Sequence, residues 1–135
     1  MSFEQLLKNL EDFVKKEKIS YNDFAVFGSG PLAVRNLREA RDIDIIVRPC
    51  IFEKLKQKYK PDNRGYICIN NIEIAQDWQP WFSDVNVLID SADIINGIRY
   101  VKLQYVLEWK KAFNREKDKK DIALIENYLS KKSIG

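Results

Sequence analysis

Histidine is missing altogether from this chain of 135 residues. Its absence excludes every Ser-His-Asp and Cys-His dyad, every imidazole metal ligand and every imidazole acid or base. Cysteine is scarce. Cys50 and Cys68 cannot complete a four-ligand zinc site without histidine, and two thiols in a chain with no secretion signal read as reduced and structural. Long apolar runs are lacking as well. The opening segment, MSFEQLLKNLEDFVKKEK, is broken by charge every few residues and fits neither a signal peptide nor a membrane span. A cytoplasmic protein with no membrane partner is the expectation. Nor is one sign of charge in excess, since 23 Lys and Arg stand against 20 Asp and Glu, and a net +3 names no nucleic-acid or membrane surface. What is present, 45% hydrophobic and 32% charged residues, is the balance of a globular protein whose length suits one domain over residues 1–135. Its chemistry must run on carboxylates, lysines, hydroxyls or bound metal.

The apolar pattern predicts alternating helices and short strands. Phe3, Leu6, Leu7, Leu10, Phe13 and Val14 recur at helical spacing, which predicts a helix over residues 2–18. Phe24 to Phe27 reads as a buried strand that runs into the turn Gly28-Ser29-Gly30, and Pro31 suits the start of a helix ending near Asn36 or Leu37. Residues 42–47, Asp-Ile-Asp-Ile-Ile-Val, read as a second strand closed by Pro49. A helix is expected over 51–60, then strands over 65–69 and 72–74 joined by a tight turn at Asn70-Asn71. Trp78 to Phe82, with Pro80 inside it, reads as a loop. Residues 85–95 are ambiguous between helix and strand, with a short helix preferred, and a strand follows at 98–101. Two helices close the chain from Leu103 onward.

Within this pattern, strand alternation puts Asp42 and Asp44 on one face, with Cα atoms roughly 6 to 7 Å apart. Two carboxylates held that closely repel, and a divalent cation between them removes the repulsion. A solvated face on an edge strand would show the same Asp-x-Asp. Upstream, Gly28, Ser29 and Gly30 lie between a strand and a helix, where free N–H groups and a hydroxyl can receive phosphate, although such a turn is also an ordinary loop. Together the two features place a phosphate seat beside a metal seat.

The stretch FGSGPLAVRNLREARDIDIIV resembles the signature of the polymerase-beta-type nucleotidyltransferases, a Gly-Ser turn followed about a dozen residues later by Asp-x-Asp. It is most similar to the small bacterial branch that includes lincosamide and aminoglycoside adenylyltransferases and the nucleotidyltransferase-like partners of toxin-antitoxin systems. Asn36 and Leu37 stand where the family often has a glycine, and Arg41 where many members have Ser or Thr. The tail LEWKKAFNREKDKKDIALI also resembles this branch, with Lys110, Arg115, Lys117, Asp118 and Asp121 at the matching positions.

The resemblance implies an α/β (α+β) fold, a mixed β-sheet flanked by helices with a C-terminal helical pair over about 103–132. It implies that Asp42 and Asp44 bind two Mg²⁺, with Mn²⁺ as a substitute, and that Gly28, Ser29 and Gly30 hold the triphosphate, joined by Lys110, Arg115 and Asp118. It also implies a third carboxylate on a later strand, which would bind metal or take the proton of the acceptor hydroxyl. Glu73, on the face opposite Ile72 and Ile74, is assigned that role; Asp77 is its rival, and an exposed edge residue is the plainer reading of Glu73. Trp78, Trp81 and Phe82 could stack on a base or cover the core edge, and Trp78 is given no role. The expected activity is transfer of a nucleoside monophosphate from a nucleoside triphosphate, ATP foremost, to an acceptor hydroxyl on a small molecule, protein or RNA. The alternative is an interaction protein of a toxin-antitoxin pair that binds or modifies its partner. A homodimer or a toxin partner would complete the pocket of so short a chain.

Overall fold

A serine ahead of an amphipathic run is a helix-start signal, and the computed structural model, which describes residues 2–77 and 84–134, uses it. The Ser2 side chain accepts the Gln5 N–H while the Gln5 side chain accepts the Ser2 N–H, and this capping box opens α1 (Phe3–Glu17). Lys18 ends the helix in the left-handed region at φ 56°. There follow β1 (Phe24–Phe27), α2 (Gly30–Ala33), β2 (Ile43–Val47), α3 (Pro49–Lys56), β3 (Ile67–Ile69) and β4 (Ile72–Ala75). After the undescribed stretch come α4 (Val85–Asp90), β5 (Asp93–Ile95), β6 (Ile98–Tyr100), α5 (Leu103–Phe113) and α6 (Asp118–Ile134).

Among the described residues the strands form one mixed sheet in the order β3-β4-β2-β1-β6-β5. β1 pairs parallel to β6 and β2 parallel to β4, while β1–β2, β3–β4 and β5–β6 are antiparallel. The architecture is α+β, a six-stranded mixed sheet flanked by helices and closed by the C-terminal pair α5 and α6. Alternation along the strands sorts the apolar side chains into two cores. Phe24, Val26, Ile43, Ile45, Ile72 and Ile74 pack with Leu6, Leu10 and Phe13 of α1 and with Phe52 and Leu55 of α3. Ala25, Phe27, Ile46 and Ala75 pack on the other face with Leu88 and Ile89 of α4, Leu103 and Val106 of α5 and Ile125 of α6. Each fully buried side chain of this size stabilises the fold by roughly 1.5 to 3 kcal/mol.

The structure departs from the sequence pattern at several boundaries. α2 is a single turn that ends at Ala33, because residues 34–36 continue as turns and Asn36 takes a positive φ of 60°. α3 starts at Pro49, where a missing N–H costs nothing, and stops at Lys56. The ambiguous segment holds α4 and also β5, which pairs with β6 through Asn96 and Gly97 at φ 51° and 82°. Asn70 and Asn71 take positive φ in the expected tight turn between β3 and β4. Cys50 and Cys68 are free, as expected of reduced thiols, and both are exposed, with Cys68 Sγ beside Arg64, Asp62 and Glu73. The loop expected at Trp78 to Phe82, with its aromatic side chains, lies outside the described residues. No helix among the described residues is long and apolar enough to cross a membrane.

Candidate active site

The pairing register brings two carboxylates together. Phe27, the last residue of β1, lies opposite Asp44, and Asp44 lies opposite Glu73 on the parallel strand β4. Because Ile43, Ile45, Ile72 and Ile74 fill the α1 and α3 face, Asp44 and Glu73 stand on the other one. The two carboxyls act on each other, raising Asp44 and lowering Glu73. Burial is the main reason that Asp44 is raised. The hydrogen bond and charge of Glu73 and the charge of Asp42 act in the same direction, and Asp44 is pushed up to about 8 against the pull of Arg64. Burial also pushes Glu73 upward, but the Asp44 hydrogen bond and the Arg64 guanidinium outweigh it and hold Glu73 below the usual carboxylate range. Asp44 Oδ1 is buried with no hydrogen-bond partner. An orphaned buried oxygen costs free energy, and an ion site is one of the few explanations for one.

The turn after β1 is built around Asp44. Gly28 sits at φ 68°, and a Cβ on it would collide with Asp44 Oδ2, so backbone strain and the neighbouring carboxylate both require glycine here. Ser29 is the residue before α2, and its side chain makes no capping hydrogen bond. Gly30 answers to a different demand: it is buried, and a Cβ there would meet Val26 Cγ1, so packing explains this glycine without a nucleotide.

A second acidic cluster lies where α5 meets α6. Lys110 Nζ reaches Asp118 Oδ1 at 3.3 Å and Asp121 Oδ2 at 3.1 Å, and all three side chains are almost fully buried. Arg115 donates from Nε to Asp118 Oδ2 at 2.6 Å and from Nη2 to Oδ1 at 3.1 Å. Arg38 Nη1 donates to Asp121 Oδ2 at 2.7 Å. Burial pushes Asp118 upward, yet the Arg115 hydrogen bonds and the Lys110 charge together bring it below its ordinary value.

Both clusters reach one cleft of about 1450 Å³, the first through Asp44 alone, and its lining includes Gly28, Ser29, Asp44, Arg41, Trp109 and Lys110. Arg115, Lys117, Asp118 and Asp121 line it too, so the tail and the Gly-Ser turn meet in space. Gly30, Asp42 and Glu73 are not part of that lining. Asp42 precedes the strand, since β2 begins at Ile43, whose N–H donates to Asn71 O at 2.8 Å; strand alternation therefore does not govern it. It is exposed and acts on Asp44 through its charge. Asp77 is exposed, two residues beyond β4. Sequence reasoning passed over Arg38, Arg64 and Trp109; only Trp109 carried a signal, as the neighbour of Lys110 in the family-like tail.

Among the described residues no three acidic or cysteine side chains gather into a metal-ligating group. The Asp44–Glu73 pair still fits a divalent cation: two carboxylates stand opposite one another on paired strands, and one Asp44 oxygen has no hydrogen-bond partner. One or two carboxylates with substrate phosphates completing the shell is the usual way that Mg²⁺ is held. Comparison with family models, with curated proteins and with solved structures finds no match.

Proposed function

We propose that the chain is a metal-dependent nucleotidyltransferase, which moves a nucleoside monophosphate from a nucleoside triphosphate, with ATP the expected donor, to an acceptor hydroxyl. The observation that carries this reading is the half-buried Asp44–Glu73 pair beside the Gly28–Ser29 turn. In the reaction the acceptor oxygen bonds to the α-phosphorus, the bond from that phosphorus to the oxygen bridging the β-phosphate breaks, and pyrophosphate leaves. Glu73 takes the proton of the acceptor hydroxyl from its half-buried place beside Asp44. Ser29 and the Gly28 backbone hold the triphosphate, whose charge is complemented by Arg41, Lys117 and Lys120, all exposed on the cleft wall. Lys110 and Arg115 are engaged by Asp118 and Asp121, so their part is to fix the tail against the cleft. Mg²⁺ or Mn²⁺ held by Asp44 and Glu73, with a second ion completed by Asp42 and the phosphates, would neutralise charge developing on the phosphate oxygens.

The test is incubation with Mg²⁺, labelled ATP and a cell lysate. Glu73→Gln is expected to lower transfer by roughly a hundredfold or more while nucleotide affinity changes little, and Asp77→Asn to be much milder. Transfer by Glu73→Gln at the parent rate would remove Glu73 from the reaction. A second reading, an interaction protein of a toxin-antitoxin pair, draws support from Val87 on α4 and Ile94 on the edge strand β5, large apolar side chains that are more than half exposed. Tight copurification of a neighbouring protein with Asp42→Asn, with no modification of that protein by the parent, would favour it.

A further inference from the structure

Glu73 is already held by a cation of the chain's own. Arg64 Nη2 donates to Glu73 Oε1 at 3.0 Å and to Asp62 Oδ2 at 2.8 Å, and Nε donates to the same Asp62 oxygen at 3.2 Å. The backbone beneath it is tied down, because Asp62 Oδ1 accepts the N–H groups of Arg64 and Tyr66. The side chain is not: it is 54% exposed, with its guanidinium over the Tyr66 ring at 4.7 Å. Releasing Glu73 would therefore leave Arg64 paired with Asp62, stacked and hydrated, with no buried charge stranded. The contact is thus inexpensive to break, and it engages one of the two carboxylates that a divalent cation would need. A guanidinium on that oxygen occupies a lone pair and repels a second cation a few ångströms away.

We infer that Arg64 is a built-in competitor for the cation site, holding Glu73 until a divalent ion displaces it and so setting how tightly the pair takes metal. The inference rests on the proposed nucleotidyltransferase reading and adds to it a residue that acts through Glu73. It makes Arg64 a positioning residue, which keeps Glu73 ordered in the metal-free protein and lowers the affinity for free metal. Metal delivered with a triphosphate would overcome this competition, because the phosphates supply further ligands.

Binding of Mn²⁺ alone, read from the electron paramagnetic resonance signal of the free ion, tests this in the full chain. Arg64→Gln and Arg64→Met are expected to bind Mn²⁺ tighter by about threefold or more, the upper range for a half-exposed ion pair, while Arg64→Lys stays close to the parent. Unchanged or weaker binding in both neutral variants, with melting temperatures near the parent's, overturns the inference. Asp44→Asn separates the two failures. If it binds Mn²⁺ as the parent does, the cation site lies elsewhere and the proposed function falls together with the role of Arg64. If it loses Mn²⁺ while the neutral Arg64 variants match the parent, only the competitor role is lost.

Discussion

Two acidic clusters reach one cleft, one buried and one half-buried that lines it through Asp44, and they are solved in opposite ways. Asp118 and Asp121 are surrounded by Lys110, Arg115 and Arg38, so two negative charges meet three positive ones within hydrogen-bond distance. Asp44 and Glu73 meet each other; Arg64 donates to Glu73 alone, and an oxygen of Asp44 is left with no partner. The first arrangement holds together unaided and is therefore structural. The second is stable only with a proton or another cation between its members, which is the property expected of a site that exchanges ions during its work.

The largest expected effect breaks the balanced cluster. Lys110→Met leaves two almost fully buried carboxylates short of a cation and should destabilise the fold by about 3 kcal/mol, read from urea denaturation, with Arg115 and Arg38 keeping the loss from being larger. A loss well under 1 kcal/mol would show that the cluster is hydrated and not locked. The same substitution should leave the β2–β4 pairing that sets Asp44 opposite Glu73 in place.

The next effect concerns pH, where the clusters act with opposite sign. Asp44 rises from 3.8 to about 8 on folding, so the folded chain keeps a proton that the unfolded chain gives up between those values. Its contribution is fully present below about pH 4 and is lost as pH rises through about 8, in buffer free of divalent cations. Asp118 is lowered on folding, so its contribution is present above its unfolded value and is lost as pH falls through the folded one. Asp44→Asn should flatten the alkaline loss and leave the acid loss in place, which denaturation curves across the range will read. An alkaline loss that survives in Asp44→Asn would have to come from another group.

A smaller effect sharpens the reading of the turn. Ser29→Ala should weaken triphosphate binding by about 1 kcal/mol, the value of one hydrogen bond, with little change in folding, since the hydroxyl makes no capping bond. Isothermal titration with a non-hydrolysable ATP analogue reads this directly. Loss of stability instead of affinity would make Ser29 a structural residue.

How much of this could be read beforehand differed with the range of the interaction. The capping box of α1 and the Asn70-Asn71 turn depend on neighbours in sequence and were legible. β5 was missed because Asp93–Ile95 is short and lacks alternation, although Asn96-Gly97 is a strong hairpin signal. Asp44 and Glu73 were legible as chemistry, whereas their register depends on the β2–β4 pairing. Asp42 was placed on a strand that starts after it, because the first bond of that strand comes from Asn71, which is distant in sequence. Gly30 looked like part of a phosphate loop, and only the position of Val26 shows why it is glycine. Arg64 had no sequence signal, since a turn arginine reaching a strand carboxylate nine positions on follows no local rule.

The central claim is that Asp44 and Glu73 form a cation site used together with a nucleotide. Melting temperature measured with ATP alone and with ATP plus Mg²⁺ or Mn²⁺, for the parent and for Asp44→Asn, tests it most directly. The account predicts a further rise on adding metal to the parent and no such increment in Asp44→Asn, whose fold without ligand stays intact. An equal metal-dependent increment in both proteins would contradict it.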